Sequence, residues 1–327
     1  MDTTQKSFGE NTLTIAIPIY NGASTLQDTL DSIVTQLQPG VDILISDNAS
    51  TDGTAEIIRK YQTKFAQIRY RRNSVNVGPM KNNDMCVEFA LGEYVWLFGD
   101  DDKMSKGCIK KMLDVIRSNS NRLGFISISA DIYGPNWIIR HKNPLGLTED
   151  IHFKNVGSLF TVLKDHIGLT PTIIVRKDAW IKHEVIREFT DDYWFHVRMV
   201  LAIAEEEESY FVAEPPVMFN QAIVRWNQKG LFLQIVIDYC EMVMQLSDTK
   251  YGYENKIKAI NRWHRYLWAH ILVAKQNDWA FEFSQVIRFI KIFKSNPRFW
   301  IFELPLLFVP RLFVQFLFAV KKLLRPS

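Results

Sequence analysis

The chain has 327 residues, 47% hydrophobic and 23% charged, which is the composition of a globular protein long enough for one large domain or a domain with an appendage. Its net charge is +3, and its Lys and Arg residues are not gathered into a basic stripe with interleaved aromatics, which argues against nucleic acid as a partner. Cys86, Cys108 and Cys240 fit neither a disulfide framework nor a zinc site, Met1 to Asn11 lack a secretory core, and no stretch reaches the roughly 18 to 20 apolar residues of a spanning helix, so a reduced, cytoplasmic setting is expected.

Leu13 to Tyr20 is β-rich and ends on the turn signal Asn21-Gly22. Leu26, Leu30, Ile33, Val34 and Leu37 then follow helical spacing until Pro39-Gly40 stops the helix. Val41 to Ser46 is a second strand, and it runs into the polar stretch Asp47 to Thr54, which opens the helix of Ile57, Ile58 and Tyr61. Strand, helix, strand, helix implies right-handed crossovers and a parallel sheet. A third strand near Ile68 to Arg71 precedes Asn73 to Pro79 and a helix through Met85, Val87 and Phe89.

Tyr94-Val95-Trp96-Leu97-Phe98 reads as a strand buried on both faces, and it delivers Gly99-Asp100-Asp101-Asp102 at its carboxyl end, where open α/β sheets bind ligands. Three adjacent carboxylates repel one another, which a divalent cation would relieve. The competing reading is a solvated acidic turn, with Asp102 and Ser105 as N-caps of a helix at Ile109 to Ile116. Leu123 to Ile128 is a further strand, residues 130 to 170 are less regular, and Thr172 to Val175 restores a strand. Thr190 to Trp194 is expected to open a helix through Val197, Val200 and Leu201, with closing strands at Tyr210 to Val212 and Val217 to Val224 and a helical remainder from about Gln228.

Ile17-Pro18-Ile19-Tyr20-Asn21, Ser46 to Thr54, Asn76-Val77-Gly78 with Asn82-Asn83, and Gly99 to Asp102 together resemble the successive motifs of family 2 glycosyltransferases of the GT-A fold, over roughly residues 12 to 130. The resemblance implies an α/β, mostly parallel sheet flanked by helices, and transfer of a sugar from a nucleotide diphosphate donor with inversion and with Mg or Mn at the acids. It implies that Pro18, Tyr20, Asn21, Asp47, Asn48, Ser50, Asp52, Asn76, Gly78, Asn82, Asp100 and Asp101 line the nucleotide-sugar pocket, and that Asp102 with Asp100 holds the metal. Gly99 departs from the Leu-Asp-x-Asp-Asp pattern of many relatives, so the acid pair is either Asp100 and Asp102 or Asp101 and Asp102. Asp191-Asp192 resembles the family's Glu-Asp pair, with Asp192 in the place of the base and Asp191 as the alternative. The competing reading is an N-cap and first turn.

Arg225-Trp226 is similar to part of the motif of processive synthases, but Gln221 lies one residue too far away. Arg225 would then face the diphosphate or the acceptor. Without spanning helices, a single-addition enzyme of the bacterial O-antigen, abequosyltransferase-like branch is expected, acting on a lipid-linked saccharide. A non-catalytic nucleotide-sugar-binding or scaffold protein of the same fold is the alternative. The seven histidines form no metal-ligand pair, and Trp263, Tyr266, Trp268 and Trp279 read as helix packing.

The expected organisation is a catalytic domain at 1–227, with its nucleotide-sugar part at 12–130 and its acceptor part at 131–227, and a helical extension at 228–327. Phe299 to Val320 is rich in Phe, Leu and Val but interrupted by Glu303, Pro305, Pro310, Arg311 and Gln315. A helix from Pro310 would place Arg311, Gln315 and Lys322 on one narrow face and apolar residues on the rest. That pattern suits peripheral attachment to the inner face of the cytoplasmic membrane. Packing on the catalytic domain, or on a second copy in a homo-oligomer, is the alternative.

Overall fold

The apolar runs of the first half become strands that are buried on both faces. A computed structural model describes residues 12–119, 123–188, 190–221, 231–276 and 283–316. In β1 (Leu13–Ile19) only Pro18 is partly exposed. After α1 (Leu26–Val34), β2 (Val41–Asp47) is buried throughout. The chain continues through α2 (Thr54–Gln62), β3 (Ile68–Arg72), α3 (Pro79–Phe89) and β4 (Tyr94–Leu97), which is also buried throughout. With helices over them, such strands need no alternation of polar and apolar residues.

Beyond β4 come β5 (Lys103–Met104), α4 (Cys108–Ser118), β6 (Leu123–Tyr133), β7 (Ile139–His141), β8 (Ile151–Phe153) and α5 (Val156–Leu163). They are followed by β9 (Ile173–Arg176), α6 (Lys177–Ile181), α7 (Glu184–Arg187), α8 (Phe195–Glu206) and β10 (Glu208–Asn220). Among the described residues the sheet has ten strands, in the order β3-β2-β1-β4-β9-β6-β10-β5, with β7 beside β6 and β8 beside β10. β1 is parallel to β2 and β4, and β2 to β3. β9 runs antiparallel to both β4 and β6, and β10 is parallel to β6. The polar loops after β1, β2 and β4 therefore leave the sheet at one edge.

Three expectations need correction. The helix after the acids is capped by Gly107, not by Asp102 or Ser105, because β5 intervenes and pairs with β10. The helix expected from Thr190 starts at Phe195, since the Asp192 side chain accepts the Trp194 amide (2.8 Å) and so forms a local turn that competes with helix entry. The two closing strands are one strand, β10, with a register jump between Val212 and Val217; the expected extension past Gln221 lies outside the described residues.

The chain divides into two compact units, Met1–Ile223 and Val224–Ser327. The second contains α9 (Leu231–Gln245), α10 (Asp248–Tyr251), α11 (Tyr253–Gln276), α12 (Phe283–Phe293), a π-helical turn at Phe299–Glu303 and α13 (Leu304–Phe308). The buried ammonium of Lys275 donates to the carbonyls of Leu307 (2.9 Å) and Val309 (2.7 Å), which fastens the end of α13 to α11. Trp263 packs against Tyr239, as expected of a helix-packing aromatic, whereas Trp268 is exposed. No helix among the described residues is long and apolar enough to cross a membrane.

Candidate active site

At the carboxyl end of β1 the backbone turns sharply, with Asn21 at φ 52°, a left-handed conformation that Asn tolerates. The turn is latched to the loop after β2. Asn21 N donates to Ser50 Oγ (2.9 Å), Gly22 N to Thr54 Oγ1 (3.0 Å) and Ala23 N to Asp52 Oδ2 (3.0 Å), while Thr51 N donates back to Asn21 Oδ1 (2.8 Å). Burial alone would raise the Asp52 carboxyl, but the bonds it accepts from Thr54 and Ala23 hold it below its ordinary value. Asn21, Ser50 and Asp52 thus bind one loop to the other. Pro18 lies beneath them in register with Ser46, and Tyr20 stands 42% exposed at the rim.

Asp47 ends β2 fully buried. Its carboxylate accepts Ser50 N (2.7 Å), the Tyr70 hydroxyl (2.7 Å) and Arg72 Nη1 (3.2 Å). The register Asp47↔Arg72 brings the guanidinium to it, and burial together with Asp47 pushes the Tyr70 hydroxyl up. Asn48 reaches the third loop: its Nδ2 donates to Asn76 Oδ1 (2.8 Å) and Gly78 O (3.1 Å), and its Oδ1 accepts Val77 N (2.9 Å) and Asn73 Nδ2 (3.0 Å). Gly78, at φ 86°, then caps α3. Asn82 points inward, where it exchanges bonds with Ser46 Oγ (2.7 Å) and Ser46 O (2.8 Å).

The acid loop closes on the same edge. Asp100 and Asp102 are buried and Asp101 partly so. The Thr29 hydroxyl of α1 lies 3.0 Å from Asp100 O and 2.8 Å from Asp102 O, and Asp102 Oδ1 accepts Asn220 N of β10 (2.8 Å). Two glycines make the packing possible. A Cβ at Gly22 would stand 2.2 Å from Asp100 Oδ2, and one at Gly99 would stand 2.2 Å from Asp102 Oδ2. The absence of a side chain at position 99 therefore follows from how Asp102 folds back over the turn, and Asp100 lies against the β1 loop.

Among the described residues, no group of three His, Cys, Asp or Glu side chains could hold an ion by itself. The donor chemistry of Asp100 and Asp102 nonetheless fits Mg or Mn, hard cations that take one or two carboxylates and complete their shell with water and substrate phosphate oxygens.

Asp192 accepts Trp194 N with one oxygen and the Arg198 guanidinium with the other, so it is tied to the first turns of α8; Asp191 is exposed. Arg225 lies outside the described residues. Tyr70, Arg72 and Thr29 escaped the sequence reading. For the first two, the signal available was the run Arg69 to Arg72 at the end of a short strand; a buried helix threonine leaves none.

The model of the glycosyl transferase family 2 matches residues 14–188, just over half of the chain. Abequosyltransferase RfbV of Salmonella typhimurium is 27% identical over 256 residues, covering 72% of this chain and 74% of that protein. Residues 1–349 of TarS from S. aureus, solved with UDP-GlcNAc, superpose with a TM-score of 0.59 at 17% identity over 88% of this chain and 82% of that one. The mannosyltransferase PcManGT of Pyrobaculum calidifontis, solved with GDP-Man and Mn2+, gives a TM-score of 0.50 at 14% identity over 98% and 85%. With the GT-A architecture, the matched motifs and the interlocked loops in agreement, the chain belongs to glycosyl transferase family 2 and is a glycosyltransferase.

Proposed function

We propose that the protein transfers one sugar from a nucleotide diphosphate sugar to a hydroxyl of a lipid-linked saccharide in bacterial surface polysaccharide synthesis, with inversion at the anomeric carbon. One observation carries this reading: the loops after β1, β2 and β4 interlock at a single sheet edge through Asn21, Asp52, Gly22 and Asp100. A loop system whose polar groups are already bonded to one another loses little freedom when a donor binds. The Salmonella relative, an abequosyltransferase, and the donors bound in the two solved structures support the same class of substrate.

In this reading Asp47, Asn48 and Asp52 shape the nucleotide pocket, and Asp100 and Asp102 are the residues that would hold Mg or Mn, which when bound would supply charge stabilisation to the departing diphosphate. The acceptor hydroxyl attacks the anomeric carbon, the bond to the diphosphate breaks, and Asp192 receives the hydroxyl proton. Arg198 holds the Asp192 carboxylate in one orientation.

We place the enzyme peripherally, on the cytoplasmic face of the inner membrane. Trp300, Ile301, Phe302, Phe308, Leu312, Phe313 and Phe316 are exposed, and Val224–Ser327 carries 16 Lys and Arg against 7 Asp and Glu, a pairing that suits an anionic lipid interface. The far part of the expected helix, from Leu317 onward, lies outside the described residues.

The deciding experiment is a donor screen with UDP-, GDP-, CDP- and dTDP-sugars plus Mn, scored by calorimetry and by slow hydrolysis. One nucleotide class should bind; binding of none overturns the reading. For the membrane, the combined substitutions Phe302→Gln, Phe308→Gln, Leu312→Gln and Phe316→Gln should abolish co-sedimentation with anionic liposomes while donor binding stays. These four are exposed, whereas truncating the segment would strip Lys275 of its carbonyl partners. Unchanged sedimentation would remove the membrane assignment.

A further inference from the structure

The turn after β6 brings an aromatic pair up to the acid loop. β5 pairs with β10 in the register Met218↔Lys103, and β10 pairs with β6 in the register Asn220↔Tyr133. Asn220 N donates to Asp102 Oδ1 (2.8 Å) and Gln221 N donates to Tyr133 O (2.8 Å), so Tyr133 is one strand spacing, about 4.8 Å in backbone terms, from the strand that holds Asp102. The Trp137 ring lies 5.8 Å from that of Tyr133, with the two planes at 57°. Lys103, the residue directly after Asp102, places its Nζ 4.1 Å from the centre of the Trp137 ring and 2.7 Å from Asp28 Oδ2.

The backbone that presents this ring is strained. Asn136 and Trp137 both have positive φ, 55° and 56°. Asn tolerates that region and a bulky aromatic rarely adopts it, so the turn persists only where its surroundings over-determine it. The closing bond Gly134 N to Ile138 O (2.8 Å) and the cation over the indole are what fix it. Trp137 stays half-buried while Ile138 and Ile139 are exposed on either side of the turn's end. A hairpin needing only closure would not require an aromatic in a left-handed conformation.

We propose that Tyr133 and Trp137 form the subsite for the acceptor sugar, a neutral pyranose stacked by its C–H face on the indole face opposite Lys103. A pyranose is apolar on the face where its axial hydrogens gather and polar around its rim, which matches an aromatic ring beside carboxylates. With the ring fixed by Lys103 and Asp28, little rotamer freedom remains to be lost on binding. This assignment rests on the glycosyltransferase reading above and adds to it where the acceptor lies.

The test uses saturation-transfer NMR on the full chain with the methyl α-glycosides of glucose, galactose, mannose and rhamnose as probes, beside calorimetry with the nucleotide sugars and Mn. In the wild type at least one glycoside should receive saturation through its ring C–H protons. Trp137→Ala should weaken that binding about tenfold, the scale for truncating an aromatic anchor, while Trp137→Phe retains most of it. Donor affinity should be equal in all three proteins. If Trp137→Ala does not unfold cooperatively, Tyr133→Leu and Trp137→Phe carry the comparison. Equal glycoside binding in the variants, no glycoside signal from a wild type that binds donor, or parallel loss of donor affinity would each overturn the subsite. A wild type that binds glycosides through Trp137 but no nucleotide sugar would keep the subsite and refute the proposed reaction.

Discussion

Between Asn21 and Asn82, the polar residues of the site are bonded to one another across the loops after β1, β2 and β3, and even the fully buried Asp47 has three donors. Between Tyr133 and Asn220 the arrangement is different: Asp191 is exposed, Asp192 is tied to its own helix, and the aromatic turn is held in a left-handed conformation by a cation. The first region is set before any ligand arrives. In the second, Tyr133, Trp137 and Asp192 are half-buried and Asp191, Ile138 and Ile139 are exposed, which would suit the acceptor side that we propose. The two halves of this sheet edge therefore differ in how far their polar groups are fixed in advance.

The largest effect is expected at Asp192, the base that we propose. Asp192→Asn should reduce sugar transfer by about 10²- to 10⁴-fold with donor affinity unchanged, measured by single-turnover transfer beside calorimetry. Near-normal turnover would move the role to Asp191.

On the preorganised side, Asp102→Asn should lower donor affinity in Mn by about 10- to 100-fold, the range typical of groups that support a metal site. Gly99→Ala should act in the same direction, because its Cβ would occupy the place of Asp102 Oδ2. An unchanged Mn-dependent affinity in both variants would put the ion elsewhere.

The two sides are linked through Asp84 of α3, which accepts Arg187 of α7 (2.7 Å), Trp180 Nε1 (3.1 Å) and Lys81 (2.9 Å). Arg187→Ala should cost about 3 kcal/mol, read as a lowered thermal midpoint, because it leaves a buried carboxylate short of its bidentate partner. Burial alone would raise the Asp84 carboxyl, but Arg187, Trp180 and Lys81 hold it below its ordinary 3.8. Its folded value is depressed, so its contribution is fully present above about pH 4 and is lost as pH falls through the lower folded value. Asp84→Asn should flatten the acid limb of a stability-pH curve in that window; an unaltered limb would show that other carboxyls set it.

The smallest effect is expected at Tyr70. Tyr70→Phe removes one of three donors to Asp47 and should cost about 1 kcal/mol, with a few-fold loss of donor affinity. A neutral result would mean that Ser50 N and Arg72 suffice.

Much of this was legible in the sequence because it is local. Apolar runs such as Val41 to Ser46 and Tyr94 to Phe98 specify buried strands, Asn21-Gly22 and Asn76 to Pro79 specify turns, and alternation of strand with helix specifies the parallel half of the sheet and hence which loops share an edge. What tertiary structure decided depends on residues far apart in the chain. Asp47 meets Arg72 through strand register, Asp102 is held by Asn220 across 118 residues, and β9 enters antiparallel between β4 and β6. The helix expected from Thr190 begins instead at Phe195, because an Asp side chain satisfies the Trp194 amide first. Turn and strand preferences act over a few residues and are written in composition, whereas register and cross-sheet hydrogen bonds exist only once the sheet has assembled.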